Sequence, residues 1–143
     1  MIIAIDFDGT MVTHEYPNVG RDIGAAEVIC SWVNKGHQII LFTMRDGRQL
    51  EDAVEWCKKN KIPLYGINEN PEQSGWTQSQ KVYANMYIDD AGINIPLKSD
   101  KSMSLRPFVN WDEIKIIFEE MENGNRIFGD TYLHKKEVTG IKR

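Results

Sequence analysis

The chain has 143 residues, 41% of them hydrophobic and 27% charged, with a net charge of −4. That is the size and composition of one globular domain with a core of its own. The negative balance argues against stable nucleic-acid binding, whose electrostatic footprint is basic. No apolar run approaches the length of a membrane span, and an acid arrives as early as Asp6, so a soluble, cytoplasmic protein without membrane contact is expected. The two cysteines, Cys30 and Cys57, lack metal-type spacing and read as reduced, buried thiols.

In chain order, IIAID at 2–6 is a short β-branched run suited to a strand buried on both faces. An irregular stretch with Pro17 and Gly20 follows. Helical spacing of Ala25, Val28, Ile29, Trp32 and Val33 then predicts a helix from a cap at Asp22 to a stop at Gly36. HQIILFT, 37–43, is a second buried strand. Leu50, Ala53, Val54 and Cys57 predict a second helix, with Asp46 and Gln49 as a capping box. IPLYGIN, 62–68, holds a third strand, and 69–80 is a polar loop. VYANMYIDD, 82–90, holds a fourth strand that again ends in acids. The stretch 91–110 reads as mostly irregular. Ile114, Ile117, Phe118 and Met121 predict a last helix capped by Asn110 with Glu113.

Strands alternating with helices predict βαβ units: a three-layer, Rossmann-like parallel sheet flanked by helices. The expected organisation is one domain over 1–143: a motif-bearing core at 1–95, a helix at 111–124, and a mobile tail at 129–143 carrying Lys135, Lys136, Lys142 and Arg143. Ligands bind such sheets beyond the carboxyl ends of the strands. Strand 1 ends at Asp6, strand 2 at Thr43 and strand 4 at Asp89 and Asp90, so these groups should converge on one edge. Asp6 and Asp8 flank one small space, Gly9 lets the chain turn, and Thr10 hydrogen-bonds locally. Four carboxylates cannot stay close and ionised without a cation, and hard oxygen ligands suit Mg²⁺.

DFDGT at 6–10 resembles the first motif of the haloacid dehalogenase (HAD) superfamily of phosphohydrolases. Thr43, Lys81 and the Asp89–Asp90 pair resemble its second, third and fourth motifs, in the family's order. The resemblance covers about the first two-thirds of the chain. It implies a HAD-like fold and a Mg²⁺-dependent phosphatase working through an aspartyl-phosphate. In that scheme Asp6 is the nucleophile and a metal ligand. Asp8 is the general acid and base, with its pKa raised relative to Asp6, and lends its backbone carbonyl to the metal. Thr43 and Lys81 hold the phosphate, with Lys81 also compensating the nucleophile's charge. Asp90 is the direct metal ligand and Asp89 supports it. The amides of Phe7 and Asp8 face the phosphoryl oxygens, with Phe7, Gly9, Thr10, Met44 and Arg45 as the phosphate- or substrate-binding residues. Thr43, Met44 and Arg45 form a T-x-R that looks like the phosphatase half of polynucleotide kinase-phosphatases, where the Arg contacts substrate phosphate.

Neither 11–22 nor 68–80 is long enough for a folded cap domain. An open site suits a phosphorylated substrate, small or macromolecular, or a second copy of the chain supplying the lid. His14, Tyr16, Trp76 and Gln78 in the two loops are candidate specificity contacts. A phosphotransferase on the same site, or a non-catalytic phosphate- or metal-binding domain of this fold, are the alternatives. A response-regulator receiver shares the chemistry, but its phosphoacceptor Asp lies on a middle strand.

Overall fold

The structure, a computed structural model, describes residues 1–124. Its centre is a four-stranded parallel sheet ordered β3-β2-β1-β4. The strands are β1 (Ile2–Ile5), β2 (Gln38–Leu41), β3 (Leu64–Ile67) and β4 (Met86–Ile88). Register runs from Ile2 against Gln38 to Ile5 against Leu41 on one side of β1, and from Ile3 against Met86 to Ile5 against Ile88 on the other. Because every pairing is parallel, all four carboxyl ends share one edge. The central strands are continuous aliphatic runs because both of their faces are covered.

Three helices flank the sheet: α1 (Ala25–Asn34), α2 (Gly47–Lys59) and α3 (Trp111–Glu122). The parallel α/β arrangement follows the sequence expectation. The layers differ in one respect. Buried residues of all three helices join a single core with Ile3, Ile5, Phe7, Ile39 and Leu41. The opposite face, Ala4 and Ile40, is covered by Val82 and Ala84 from the segment between β3 and β4. Within that segment only Gln73–Gly75 is helical, as one 3₁₀ turn. A crossover this short leaves one face thinly clad.

Two local expectations need correction. Asp46 precedes α2 but makes no side-chain cap bond, so the capping box with Gln49 does not form. Arg45 reaches the first turn instead and donates to the Gln49 carbonyl. The irregular 91–110 stretch contains an antiparallel pair, β5 (Leu97–Lys98) with β6 (Phe108–Val109), too short to be read from alternation. The Asn110 cap on α3 forms as expected, accepting from the Glu113 amide at 3.3 Å. Asp22 accepts from the amides of Gly24 and Ala25 at the start of α1. Both cysteines are free thiols, Cys57 buried and Cys30 half-buried. No helix among the described residues is long and apolar enough to cross a membrane. The predicted tail at 129–143 lies outside the described residues.

The core is anchored where α1 meets α3. Trp32 stacks on Phe118 with ring centroids 4.2 Å apart and a 23° tilt, and Trp111 lies 5.7 Å from the Trp32 ring. Trp32→Ala should therefore cost about 3–5 kcal/mol of unfolding free energy in a urea titration, and Trp32→Phe clearly less.

Candidate active site

The turn after β1 is built around one carbonyl. Phe7 O accepts from the amides of Thr10, Met11 and Val12, which closes a tight loop over 7–12. Phe7 itself is fully buried. Gly9 has φ +78°, a conformation that favours glycine. A Cβ there would collide with His14 Nε2 and come within 2.6 Å of Asp90 Oδ2. The loop is held from behind by the C-terminal part of the chain. Val109 N donates to Gly9 O at 3.0 Å, and the buried Trp111 indole donates to Thr10 O at 2.6 Å. Residues 108–111, which matched no motif, thus form the back wall of the site.

Three acids do converge on the carboxyl edge. Asp6, Asp89 and Asp90 each offer an oxygen, all within 4.8 Å of one another. The Thr10 hydroxyl ties the two strands together: it donates to Asp6 Oδ2 at 2.7 Å and accepts from the Asp90 amide at 3.1 Å. The local hydrogen bond expected of Thr10 forms, to Asp6; with its hydroxyl held between β1 and β4, Thr10 is not free for the phosphate contact also expected of it. Asp90 Oδ2 also pairs with His14 Nε2 at 2.8 Å. Asp89 Oδ1 accepts from the Ala91 amide. Burial pushes the Asp6 pKa up to about 7, with the charges of Asp89 and Asp90 adding to it and the bonds from Thr10 and Phe7 opposing it.

Asp8 is placed differently from expectation. Both of its oxygens accept from Arg45, from Nε and Nη2, each at 2.7 Å. Arg45 is only 3% exposed, and its remaining N–H groups go to the carbonyls of Pro17, Asn18 and Gln49. All five donors are used, and the cation also lies 5.0 Å from the Phe7 ring centroid and 5.2 Å from that of Tyr16. Arg45 therefore has no donor left for a substrate phosphate; it binds Asp8 and the 16–18 flap.

Thr43 sits at the end of β2 with Asn68 clasping its backbone: Thr43 N donates to Asn68 Oδ1 at 2.8 Å and Asn68 Nδ2 to Thr43 O at 2.9 Å. The Thr43 hydroxyl accepts from the Arg45 amide, and its own hydrogen has no acceptor among the described residues. Asn68 was missed by the motif reading, although an Asn closing a strand at φ 52° is a local signal in IPLYGIN. The amides of Asp8 and Met44 and the carbonyl of Asp8 make no hydrogen bond among the described residues. Met44 itself projects into solvent, 97% exposed. Lys81 departs from the motif expectation. Its ammonium sits 5.9 Å from the Tyr87 ring centroid and forms no ion pair with Asp6. Its backbone is fixed on the crossover, where the buried Gln73 side chain donates to Lys81 O.

No family model matches the chain, and no curated protein does. A solved structure is similar: a conserved protein coded by a locus of Bacteroides thetaiotaomicron. The likeness covers 92% of this chain and 97% of that one, at 31% identity and a TM-score of 0.69. The chain belongs to the same family as that conserved protein. It brings no activity with it.

Two measurements probe this geometry. Arg45→Met should cost about 3 kcal/mol in urea unfolding, because it strands Asp8 and three carbonyls, and Arg45→Lys should not restore it. The second concerns Asp6. Its pKa of 3.8 in the open chain rises to about 7 on folding. The folded state therefore keeps a proton that the unfolded state has released, and stability falls as pH rises through that window. In EDTA, the melting-temperature advantage of Asp6→Asn over wild type should grow between about pH 5 and about pH 8. A constant difference would contradict the raised pKa.

Proposed function

We propose that the protein is a Mg²⁺-dependent phosphatase of HAD type, hydrolysing a phosphomonoester through an aspartyl-phosphate on Asp6. The observation that carries this reading is the crowding of Asp6, Asp89 and Asp90 within 4.8 Å. No Lys or Arg among the described residues pairs with Asp6 or Asp89. Three anions so placed, with Asp6 pushed up to about 7, are stabilised most simply by a divalent cation. Their oxygens, joined by the unpartnered Asp8 carbonyl, are the hard donors Mg²⁺ takes. A bound Mg²⁺ would supply charge neutralisation between Asp6 and the phosphate.

The chain's own residues then divide the work. Asp6 Oδ attacks phosphorus; the Asp6 O–P bond forms as the P–O bond to the leaving alcohol breaks. Asp8 gives that oxygen its proton and later takes one from the water that cleaves the aspartyl-phosphate. Since Arg45 holds both Asp8 oxygens, this role requires the pair to open and Asp8 to take up a proton from solvent first. The Thr43 hydroxyl and the amides of Asp8 and Met44 are the unpaired donors positioned for phosphoryl oxygens. The motif order from Asp6 to Asp90 supports the reading, as does the absence of an inserted domain over 11–22 and 68–80 among the described residues.

Asp6→Asn should lower Mg²⁺-dependent turnover of a small phosphomonoester by about a thousandfold or more, to near background, in a phosphate-release assay. Wild-type turnover by that variant would remove Asp6 as nucleophile and the proposed function with it.

A further inference from the structure

The segment between β3 and β4 builds a pocket of about 340 Å³ on the thinly covered sheet face. Its walls are fixed internally. Buried Gln73 donates to the carbonyls of Ser79 and Lys81 at 3.0 and 2.8 Å and accepts from the Tyr83 amide at 2.8 Å. The Tyr87 hydroxyl donates to Val82 O at 2.6 Å and accepts from the Ala84 amide. A cavity held this way is preformed rather than a fluctuation of a loose loop.

The lining combines three kinds of group. Trp76, 64% exposed, meets Tyr83 edge-on at 5.5 Å, and Tyr87 lies beyond it with Phe42 at 6.2 Å. Trp32, Trp111, Phe7 and Phe118, by contrast, are almost wholly buried, whereas the rings at this pocket, like Tyr16 elsewhere, are left to water. The Lys81 ammonium has no hydrogen bond or ion pair among the described residues. The hydroxyls of Thr77 and Ser79 each accept from a backbone amide at 3.2 Å, and their hydrogens have no acceptor among the described residues. A purely apolar partner would leave the cation and both hydroxyls unmatched. A planar ring bearing acceptor atoms and an attached anion satisfies all three. A nucleic-acid strand would need a basic track, and the pocket offers one lysine in a chain of net charge −4.

Tyr87, in the pocket wall, is on β4, which ends one residue before Asp89; alternation carried past the strand end puts the two on one face, about 6.6 Å apart along the chain. Ala4, which pairs with Tyr87, shares that face with Asp6 by the same alternation. We propose that this pocket binds the heteroaromatic ring of a mononucleotide-type ligand, with Lys81 taking part of its negative charge. That the ligand's phosphate then reaches Asp6 rests on the phosphatase reading; the ring site does not.

The test is equilibrium binding to the full chain in EDTA, using adenosine monophosphate, ribose phosphate, adenosine and a short single-stranded oligonucleotide. Adenosine monophosphate should bind about tenfold or more tightly than ribose phosphate, the margin expected from stacking. It should quench tryptophan fluorescence, and Trp76→Phe should remove most of that signal. By calorimetry, Trp76→Ala should weaken adenosine monophosphate about tenfold and leave ribose phosphate unchanged, and Lys81→Met should weaken the nucleotide more than adenosine. The proposal falls if the two phosphates bind equally, if Trp76→Ala changes nothing, if no saturable nucleotide binding occurs at millimolar concentration, or if the oligonucleotide binds more tightly per nucleotide. A protein that hydrolyses ribose phosphate but binds no nucleotide loses the pocket alone. One that binds the nucleotide through Trp76 but hydrolyses no ester loses the phosphatase alone.

Discussion

Three carboxylates share a space less than 5 Å across at the carboxyl edge of the sheet. Burial and the two neighbouring acids together push the Asp6 pKa up to about 7. Much of the surrounding architecture is what keeps them there. Parallel pairing brings β1 and β4 side by side, the Thr10 hydroxyl locks Asp6 to the backbone of Asp90, and His14 holds the Asp90 carboxylate. The tight turn around Phe7 O and the absence of a side chain at Gly9 let these groups close in. Geometry so costly to hold is what a cation-dependent site would be expected to show.

The second region of concentrated charge is handled by the opposite device. Asp8 and Arg45 form a pair that needs nothing from outside, with every guanidinium hydrogen spent. Two carboxylates two residues apart in sequence thus live in contrasting surroundings. Asp6 is crowded by acids and has no cationic side chain paired with it among the described residues. Asp8 is bound to one.

Much of this was legible in the sequence because it depends on strand ends. Hydrophobic runs that stop in Asp6, Thr43 and Asp89 locate one edge of a parallel sheet without any tertiary knowledge, and the three groups do lie at that edge. What depends on side-chain reach was not legible. Arg45 reads as a phosphate contact from its place after Thr43, yet a long side chain two residues past a strand end can turn inward as easily as outward. Thr10 reads as a phosphate contact too, and only the spacing of β1 against β4 reveals that its hydroxyl has two partners inside the protein. Trp111 acts through one hydrogen bond across 101 residues of chain and Asn68 through a pair across 25, separations at which pattern carries no signal. Lys81 has the right order in the chain but sits on an irregular crossover whose path the sequence does not specify.

Arg45 also sets how the flap can behave. Its guanidinium holds the carbonyls of Pro17 and Asn18, the first turn of α2 through Gln49, and Asp8 at once. Lifting residues 16–18 away would strip two acceptors from a cation with almost no access to water, so partial opening carries nearly the full electrostatic cost of complete opening. The flap is therefore cooperative with the Asp8 carboxylate. Whatever releases one end of the guanidinium loosens the other.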